Sequence, residues 1–290
     1  MATILSLKRR IKAASNVSKT TRAMQMIAAS KMKKAQNSAL SVKPYAEKIG
    51  LLSTKVREKI EKEALHPYME ERNESGKTLF LVFSPDKGLC GGLITNLLSE
   101  VIKNIKEDDL VITVGKKIEN YIVRLNKTLI ASYPFGNTLP IYETVYSIAK
   151  MVDDNYLNKK VDNVKIIYTN FASIFSQKPI VLNLLPIAIN VNENEQNESD
   201  KKNPFQLFEP SIEELLPTLI KKYFEITVYQ KLLESYLSEQ ASRMVAMQNA
   251  TTNARDIILD LTLEYNKTRQ AKITSEILDI TSAGFNTAYE

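Results

Sequence analysis

Only one cysteine, Cys90, and one histidine, His66, occur among the 290 residues, and tryptophan is absent. A single thiol excludes an internal disulfide and fits a reducing compartment. With a single imidazole, any Ser-His-Asp constellation would have to use His66. That residue stands beside Pro67 in a polar connection and reads as a surface histidine without a role. No run of about 18 apolar residues exists, so no membrane-spanning segment is expected. The opening MATILSLKRR is too short and too basic for a signal peptide; it reads as a helix start, and a bacterial cytoplasm is the expected compartment. Acidic residues are missing before Glu47, while Lys8, Arg9, Arg10, Lys12, Lys19, Arg22, Lys31, Lys33, Lys34 and Lys43 are basic. So one-sided a segment is expected to face something negative, since solvated faces usually mix both signs.

Proline and glycine are missing from two long stretches. Between Pro217 and Gly284 neither occurs, which predicts one helix from Thr218 to Ala283, roughly 100 Å long at 1.5 Å per residue. Leu233, Leu237, Met244, Met247, Thr251, Ala254, Ile258, Leu261, Tyr265 and Thr268 form a stripe near the 3.5-residue repeat of a coiled coil. A projecting helix cannot bury such a stripe alone. From Thr3 to Val42 the same absence recurs, and Ile4, Leu7, Ile11, Ala14, Val17, Thr21, Met24, Ala28, Met32 and Ala35 supply the matching seam. Lys43-Pro44 is expected to break or kink this helix, which would resume from Tyr45 to about Ala64.

The middle of the chain alternates. Lys77–Phe83, Leu110–Val114, Thr128–Ser132, Val164–Asn170 and Ile180–Pro186 read as strands. Leu93–Ile105, Lys116–Leu125 and Ile141–Leu157 read as helices, with a turn at Ser176–Lys178 pairing the last two strands. Such alternation implies βαβ units and a mainly parallel sheet. Residues 190–203 are rich in Asn and Glu and read as a surface loop. The expected fold is therefore α/β: a long antiparallel coiled coil of N- and C-terminal helices with an inserted Rossmann-like α/β domain. The expected boundaries are 1–65, 66–210 and 211–290.

Chemistry is sparse. Gly88-Leu-Cys-Gly91-Gly92 lies where backbone amides could hold a phosphate, but it makes neither G-x-G-x-x-G nor G-x-x-x-x-G-K-[ST]. A tight turn with close helix–sheet packing is the better reading, and Cys90 reads as a small packed residue. No Cys/His cluster has metal spacing, and Asp153-Asp154 reads as a helix end. No catalytic residue, cofactor or metal is expected. Asn266-Lys-Thr-Arg269-Gln270-Ala-Lys-Ile-Thr274 is denser in hydrogen-bonding groups than a solubilising face needs, and Arg with Gln suits carboxylates and carbonyls of a surrounding partner. Arg255 and Lys267 read as solvated flanks.

Four runs carry a family resemblance: Thr21-Arg-Ala-Met24-Gln-Met-Ile-Ala-Ala-Ser-Lys31-Met-Lys-Lys-Ala35, Asp86-Lys-Gly88-Leu-Cys90-Gly-Gly92-Leu, Ser242-Arg243-Met-Val-Ala-Met247-Gln-Asn-Ala-Thr251, and Tyr265-Asn-Lys-Thr-Arg269-Gln270-Ala-Lys-Ile-Thr274-Ser-Glu276-Ile. In order and content they resemble the signatures of the gamma subunit of F-type ATP synthases. That resemblance implies a central rotor shaft coupling proton flow through a membrane ring to ATP synthesis or hydrolysis elsewhere. The implied partners are the alpha and beta subunits, epsilon and the ring of c subunits, with membrane contact only through that ring at the cytoplasmic face. It further implies torque-transmitting contacts at Met24, Arg243, Arg269, Gln270, Thr274 and Glu276. The basic N-terminal face of Lys8, Arg9, Arg10, Lys31, Lys33 and Lys34 would meet acidic loops of beta. The cysteine-bearing insertion of chloroplast members is absent, and Lys272 puts a charge where the motif is often small.

Three other readings compete. A basic coiled-coil nucleic-acid binder would want aromatic interleaving, yet residues 1–43 hold no Phe, Tyr or Trp. A small nucleotide-binding enzyme is weakened by the failed glycine patterns. A rotor of a specialised ATPase that does not make ATP remains compatible with the sequence.

Overall fold

The computed structural model describes residues 3–58, 66–70, 72, 76–187 and 211–287. Ten elements follow one another: α1 (Ile4–Glu58), β1 (Thr78–Phe83), α2 (Leu93–Asn104), β2 (Leu110–Val114), α3 (Lys116–Arg124), β3 (Thr128–Tyr133), α4 (Glu143–Tyr156), β4 (Asn163–Phe171), β5 (Gln177–Leu185) and α5 (Ile212–Thr287). The predicted α/β architecture with two long flanking helices is the one found. The chain forms two compact units, one of Met1–Ala28 with Arg243–Glu290 and the other of Ala29–Ser242.

In the first unit the start of α1 lies against the last part of α5, so the two helices run antiparallel. The seam is made of the residues whose spacing defined it: Leu7, Ala28, Met247, Thr251, Ala254 and Leu261 are buried. Thr21 and Thr251 meet across it, hydroxyl to hydroxyl at 2.7 Å, so both polar side chains on the seam are satisfied. Val17 departs from the expectation. It is 53% exposed, while Ser18 beside it is half-buried. A 3.6-residue helix drifts against a strict 3.5 repeat, and a small Ser takes the inner position as the stripe slips.

In the second unit a five-stranded sheet has the order β3-β2-β1-β4-β5. β1, β2, β3 and β4 are parallel and β5 returns antiparallel beside β4. β1 is central and buried along its whole length, as its unbroken apolar run predicted. Its alternate side chains divide between two cores. Phe80 and Val82 pack with Leu97 and Val101 of α2 and with Ile118 and Ile122 of α3. Leu79, Leu81 and Phe83 pack on the other face with Val145, Ile148 and Val152 of α4 and with Phe224, Leu232 and Tyr236 of α5. The result is three layers, with α5 as part of one of them.

Four boundaries differ from expectation. α1 continues through Pro44 without the expected break. The ring removes one bond to the Leu40 carbonyl, but Leu40 and Pro44 are both exposed, so water serves the freed oxygen. The described part of this helix ends at Glu58, so the expected stretch from residue 59 to 64 lies outside the described residues, as does the loop at 190–203. α5 begins at Ile212 rather than Thr218. Ser211 caps it, its Oγ accepting from Glu214 N at 3.4 Å, and Pro217 falls inside the early helix. At the other end α5 passes Gly284 and stops at Thr287. The last hairpin turns at Ala172–Ser176 instead of Ser176–Lys178, because Ser176 N closes onto both the carbonyl and Oγ of Ser173.

His66 is not the idle surface residue its context suggested. Its Nδ1 accepts from Tyr68 N at 3.2 Å, capping the short 3-10 turn Pro67–Met69, and its ring meets Tyr68 edge-on. Burial lowers its pKa, which fits a neutral acceptor. α4 is tied to α5 by Tyr142, whose hydroxyl donates to the buried Glu225 carboxylate at 2.7 Å. Burial pushes this phenol up to about 12, so it remains a donor at neutral pH.

Gly115 occupies a backbone position only glycine suits, with φ +114° between β2 and α3. A Cβ there would run into the Ser84 carbonyl oxygen. Ser84 cannot move away, since its N donates to Val114 O at 2.8 Å and its Oγ to Gly115 O at 3.1 Å. Gly115→Ala is expected to destabilise the isolated chain by roughly 2–4 kcal/mol, through strain plus a displaced junction. A denaturant midpoint equal to wild type would contradict this account.

Candidate interaction surface and a filled crevice

Met24, Arg243, Arg269, Gln270, Thr274 and Glu276 all belong to the first unit, together with Lys8, Arg9 and Arg10. Met24 is half-buried one turn from Thr21 and from the buried Ala28, so part of its thioether side chain covers the seam and part stays open. Arg243 is also half-buried. Beyond Thr268 the seam ends, and every residue from Arg269 to Thr281 is exposed. Thr274 therefore faces solvent, and its Oγ1 donates to Gln270 O at 3.0 Å. Glu276 pairs with Lys272 at 3.6 Å, which gives that unusual lysine a local partner. Both side chains are well exposed, so the pair contributes only about 0.3–0.5 kcal/mol.

The exposed end of α5 is not simply polar. Ile273, Ile277, Leu278 and Ile280 stand open, Ile280 at 72%, interleaved with Arg269, Gln270 and Thr274. Upstream, Ile257, Leu259 and Leu263 are exposed as well, and on α1 so are Leu5, Met26 and Ile27. Apolar residues in this number on so narrow a pair of helices mark a surface that works against another surface.

The basic residues do not form one set. Lys8, Arg9 and Arg10 are exposed in the first unit. Lys33 and Lys34 are exposed in the second, but Lys31 is half-buried and its ammonium donates to Asn137 O at 2.6 Å. Lys31 thus points into its own unit, a contact that no local sequence pattern could have announced.

In the second unit, chain connections from β1 lead to β2 on one side and arrive at β4 from the other. The carboxyl ends of β1 and β4 therefore flank the topological switch point, where open α/β sheets bind ligands. Here α5 occupies it. Ser242 Oγ donates to Cys90 O at 2.7 Å in the loop after β1, and Ser238 Oγ donates to Thr169 O at 3.0 Å near the end of β4. Cys90 is buried there, as a small packed residue should be. The glycine-rich turn at 88–92 thus receives the chain's own helix where a phosphate-binding domain would receive a nucleotide. Ser238 escaped notice because its partner, the Thr169 carbonyl, is 69 positions away in sequence. Among the described residues no group of His, Cys, Asp and Glu could hold a metal ion, and no helix is long and apolar enough to cross a membrane.

Comparison with known proteins agrees with this picture. A family model described as ATP synthase matches residues 3–286. The ATP synthase gamma chain of Methylacidiphilum infernorum is 38% identical over 98% of this chain and 99% of its own length. That of Legionella pneumophila is 35% identical over 97% and 98% respectively. Among solved structures, a chain of the Tetrahymena thermophila mitochondrial ATP synthase central stalk and c-ring superposes with TM-score 0.59, at 28% identity, over 80% of this chain and 99% of that one. A chain of the Euglena gracilis mitochondrial ATP synthase, in an assembly of OSCP, F1 and c-ring, gives TM-score 0.68 over 97% and 93%. At 18% identity the latter likeness concerns the fold.

Proposed function

Because the chain belongs to the ATP synthase gamma-chain family and is the rotor shaft of an F-type ATP synthase, we propose that it works without catalytic chemistry of its own, as a cam whose exposed surface is read by surrounding subunits. The observation carrying this reading is the filled crevice: Ser238 and Ser242 place α5 where a nucleotide would bind. ATP is then made or hydrolysed in neighbouring subunits, and this chain transmits motion. Residues 66–210 form the foot, and the helices on either side form the shaft.

The shaft surface fits a ring of alternating alpha and beta subunits. Met24, Arg243, Arg269, Gln270, Thr274 and Glu276 are the torque-bearing contacts in this reading. Exposed apolar side chains slide, while Arg and Gln form the directional bonds that distinguish one rotor angle from another. Lys8, Arg9 and Arg10, with Lys33 and Lys34, face acidic loops of beta, steered by charge. Epsilon and the c-subunit ring take the foot. The whole sits peripherally on the cytoplasmic face of a bacterial membrane.

Two measurements test this. Alpha and beta reconstituted with c-ring vesicles should pump protons on ATP addition only when this chain is supplied. Pumping in its absence would refute the shaft role. The purified chain alone should show no ATP binding by calorimetry, because its switch point is occupied; micromolar affinity would refute the non-catalytic reading.

A further inference from the structure

The loop between β3 and α4, Pro134-Phe-Gly-Asn-Thr-Leu-Pro140, touches more of the second unit than a connection requires. On the sheet side Asp86 holds it. Its Oδ2 accepts from Gly136 N at 2.8 Å, and its Oδ1 accepts from Phe135 N at 3.3 Å and from Lys116 N at 2.9 Å. One carboxylate thereby fastens the turns that follow β1, β2 and β3 to each other, through bonds strengthened by its charge.

On the helix side the same loop meets both long helices. Lys31 of α1 donates to Asn137 O at 2.6 Å, and Tyr236 of α5 reaches the same oxygen at 3.4 Å. The Phe135 ring lies against that of Tyr236, centroids 6.0 Å apart and tilted 34°. Tyr229, also on α5, donates to Pro140 O at 3.3 Å. At the Asn137 carbonyl, α1 and α5 are therefore both bound to the loop rooted on the sheet.

We propose that the 134–140 loop is a torsional clamp, with Lys31 and Asp86 as positioning residues, that locks both long helices to the α/β foot so that rotation of one turns the other. This rests on the rotor reading above. α5 has further polar ties to this unit through Ser238, Ser242 and Glu225. The other core contacts of α1, at Ala35 and Val56, are apolar, and apolar packing is non-directional. It resists separation more than it resists shear. Hydrogen bonds weaken steeply when bent or lengthened, so polar ties resist twist. Lys31 explains itself on these terms: in a run of exposed cations, it is the one whose ammonium is committed inward to a carbonyl of the foot.

The test compares wild type with Lys31→Met, which keeps the aliphatic stem and loses the donor, and Lys31→Arg, which keeps a donor. In the assembled complex, Lys31→Met is expected to retain ATP hydrolysis while protons pumped per ATP fall roughly twofold or more, with Lys31→Arg restoring most of the loss. Unchanged coupling in Lys31→Met, or no rescue by Arg, would overturn the clamp. Hydrogen exchange on the full-length chain gives a second readout that does not depend on assembly. Phe135 and Gly136 amides should exchange roughly tenfold faster in Lys31→Met, with β1 and β4 unchanged. Equal exchange at the loop would also overturn the proposal. A wild-type complex that does not pump would sink the rotor reading instead, and the exchange result would still judge the clamp.

Discussion

A complex carrying Met24→Lys is expected to assemble and to hydrolyse ATP, while pumping far fewer protons for each ATP consumed. Met24 sits half-buried between the Thr21–Thr251 contact and the buried Ala28, with part of its side chain facing outward. In the isolated chain a lysine fits there at little expense, because its stem can cover the seam and its ammonium can reach water. Circular dichroism and thermal midpoint should therefore shift only slightly. Inside the ring the same ammonium loses its water. It must then find a carboxylate or carbonyl of the surrounding subunits, and a bond to a charged group contributes about 1.5–3 kcal/mol. A thioether slides past successive neighbours with similar weak contacts, whereas an ammonium favours one rotor angle. Hydrolysis then proceeds with strokes that are held or slipped. Proton pumping and ATPase activity measured on the same vesicles check this, and an unchanged ratio would remove Met24 from the proposed contacts.

Much of this molecule is written in short-range patterns, and its departures have identifiable causes. β1 was legible because a central parallel strand is apolar on both faces, and β2 was bounded at Leu110–Val114 as its run of branched residues required. Apart from Val17 the seam was legible down to Thr268, since spacing largely decides which residues of two helices can meet. What spacing could not say is where the partner helix stops: beyond Thr268 every residue to Thr281 is exposed, Thr274 among them. Proline misled at two boundaries. At Pro44 the restriction on the residue before proline was weighed as a break or kink, and Pro217 was read as marking the helix start, whereas an exposed proline or one in an early turn is tolerated inside a helix. The signal that would have corrected the second was present: Ser211 with Glu214 three residues on is a helix-start pattern.

Side chains that act over long separations were the least legible. Lys31 and Asn137 are 106 positions apart, and Ser242 and Cys90 are 152 apart. No local window joins them, and Lys31 lay within a basic run whose other members are exposed. The spacing of its glycines argued against the glycine-rich turn as a nucleotide cradle. That a helix fills its place could be seen only in three dimensions.

Replacing Arg269, Gln270 and Thr274 together with alanine should leave the chain folded and disable the complex. All three are exposed, and the one hydrogen bond among them, from Thr274 to the Gln270 carbonyl, is local to the helix. Alanine is the best helix former, so this end of α5 should if anything gain helical stability, and circular dichroism should match wild type. The side chains removed are those able to form directional bonds beside Ile273 and Ile277, which alone would slide without preference for any angle. With a charge-assisted bond contributing about 1.5–3 kcal/mol, losing Arg269 and its neighbours should lower recovery of the assembled complex or its ATPase turnover at least roughly tenfold. Neutralising Lys8, Arg9 and Arg10 supplies the opposing case. A nucleic-acid binder would lose salt-sensitive affinity with those three cations and ignore the far end of α5. If the triple alanine chain assembles and turns over ATP normally while the N-terminal variant loses affinity for DNA, the proposed contact surface on α5 is wrong and the basic end has another partner.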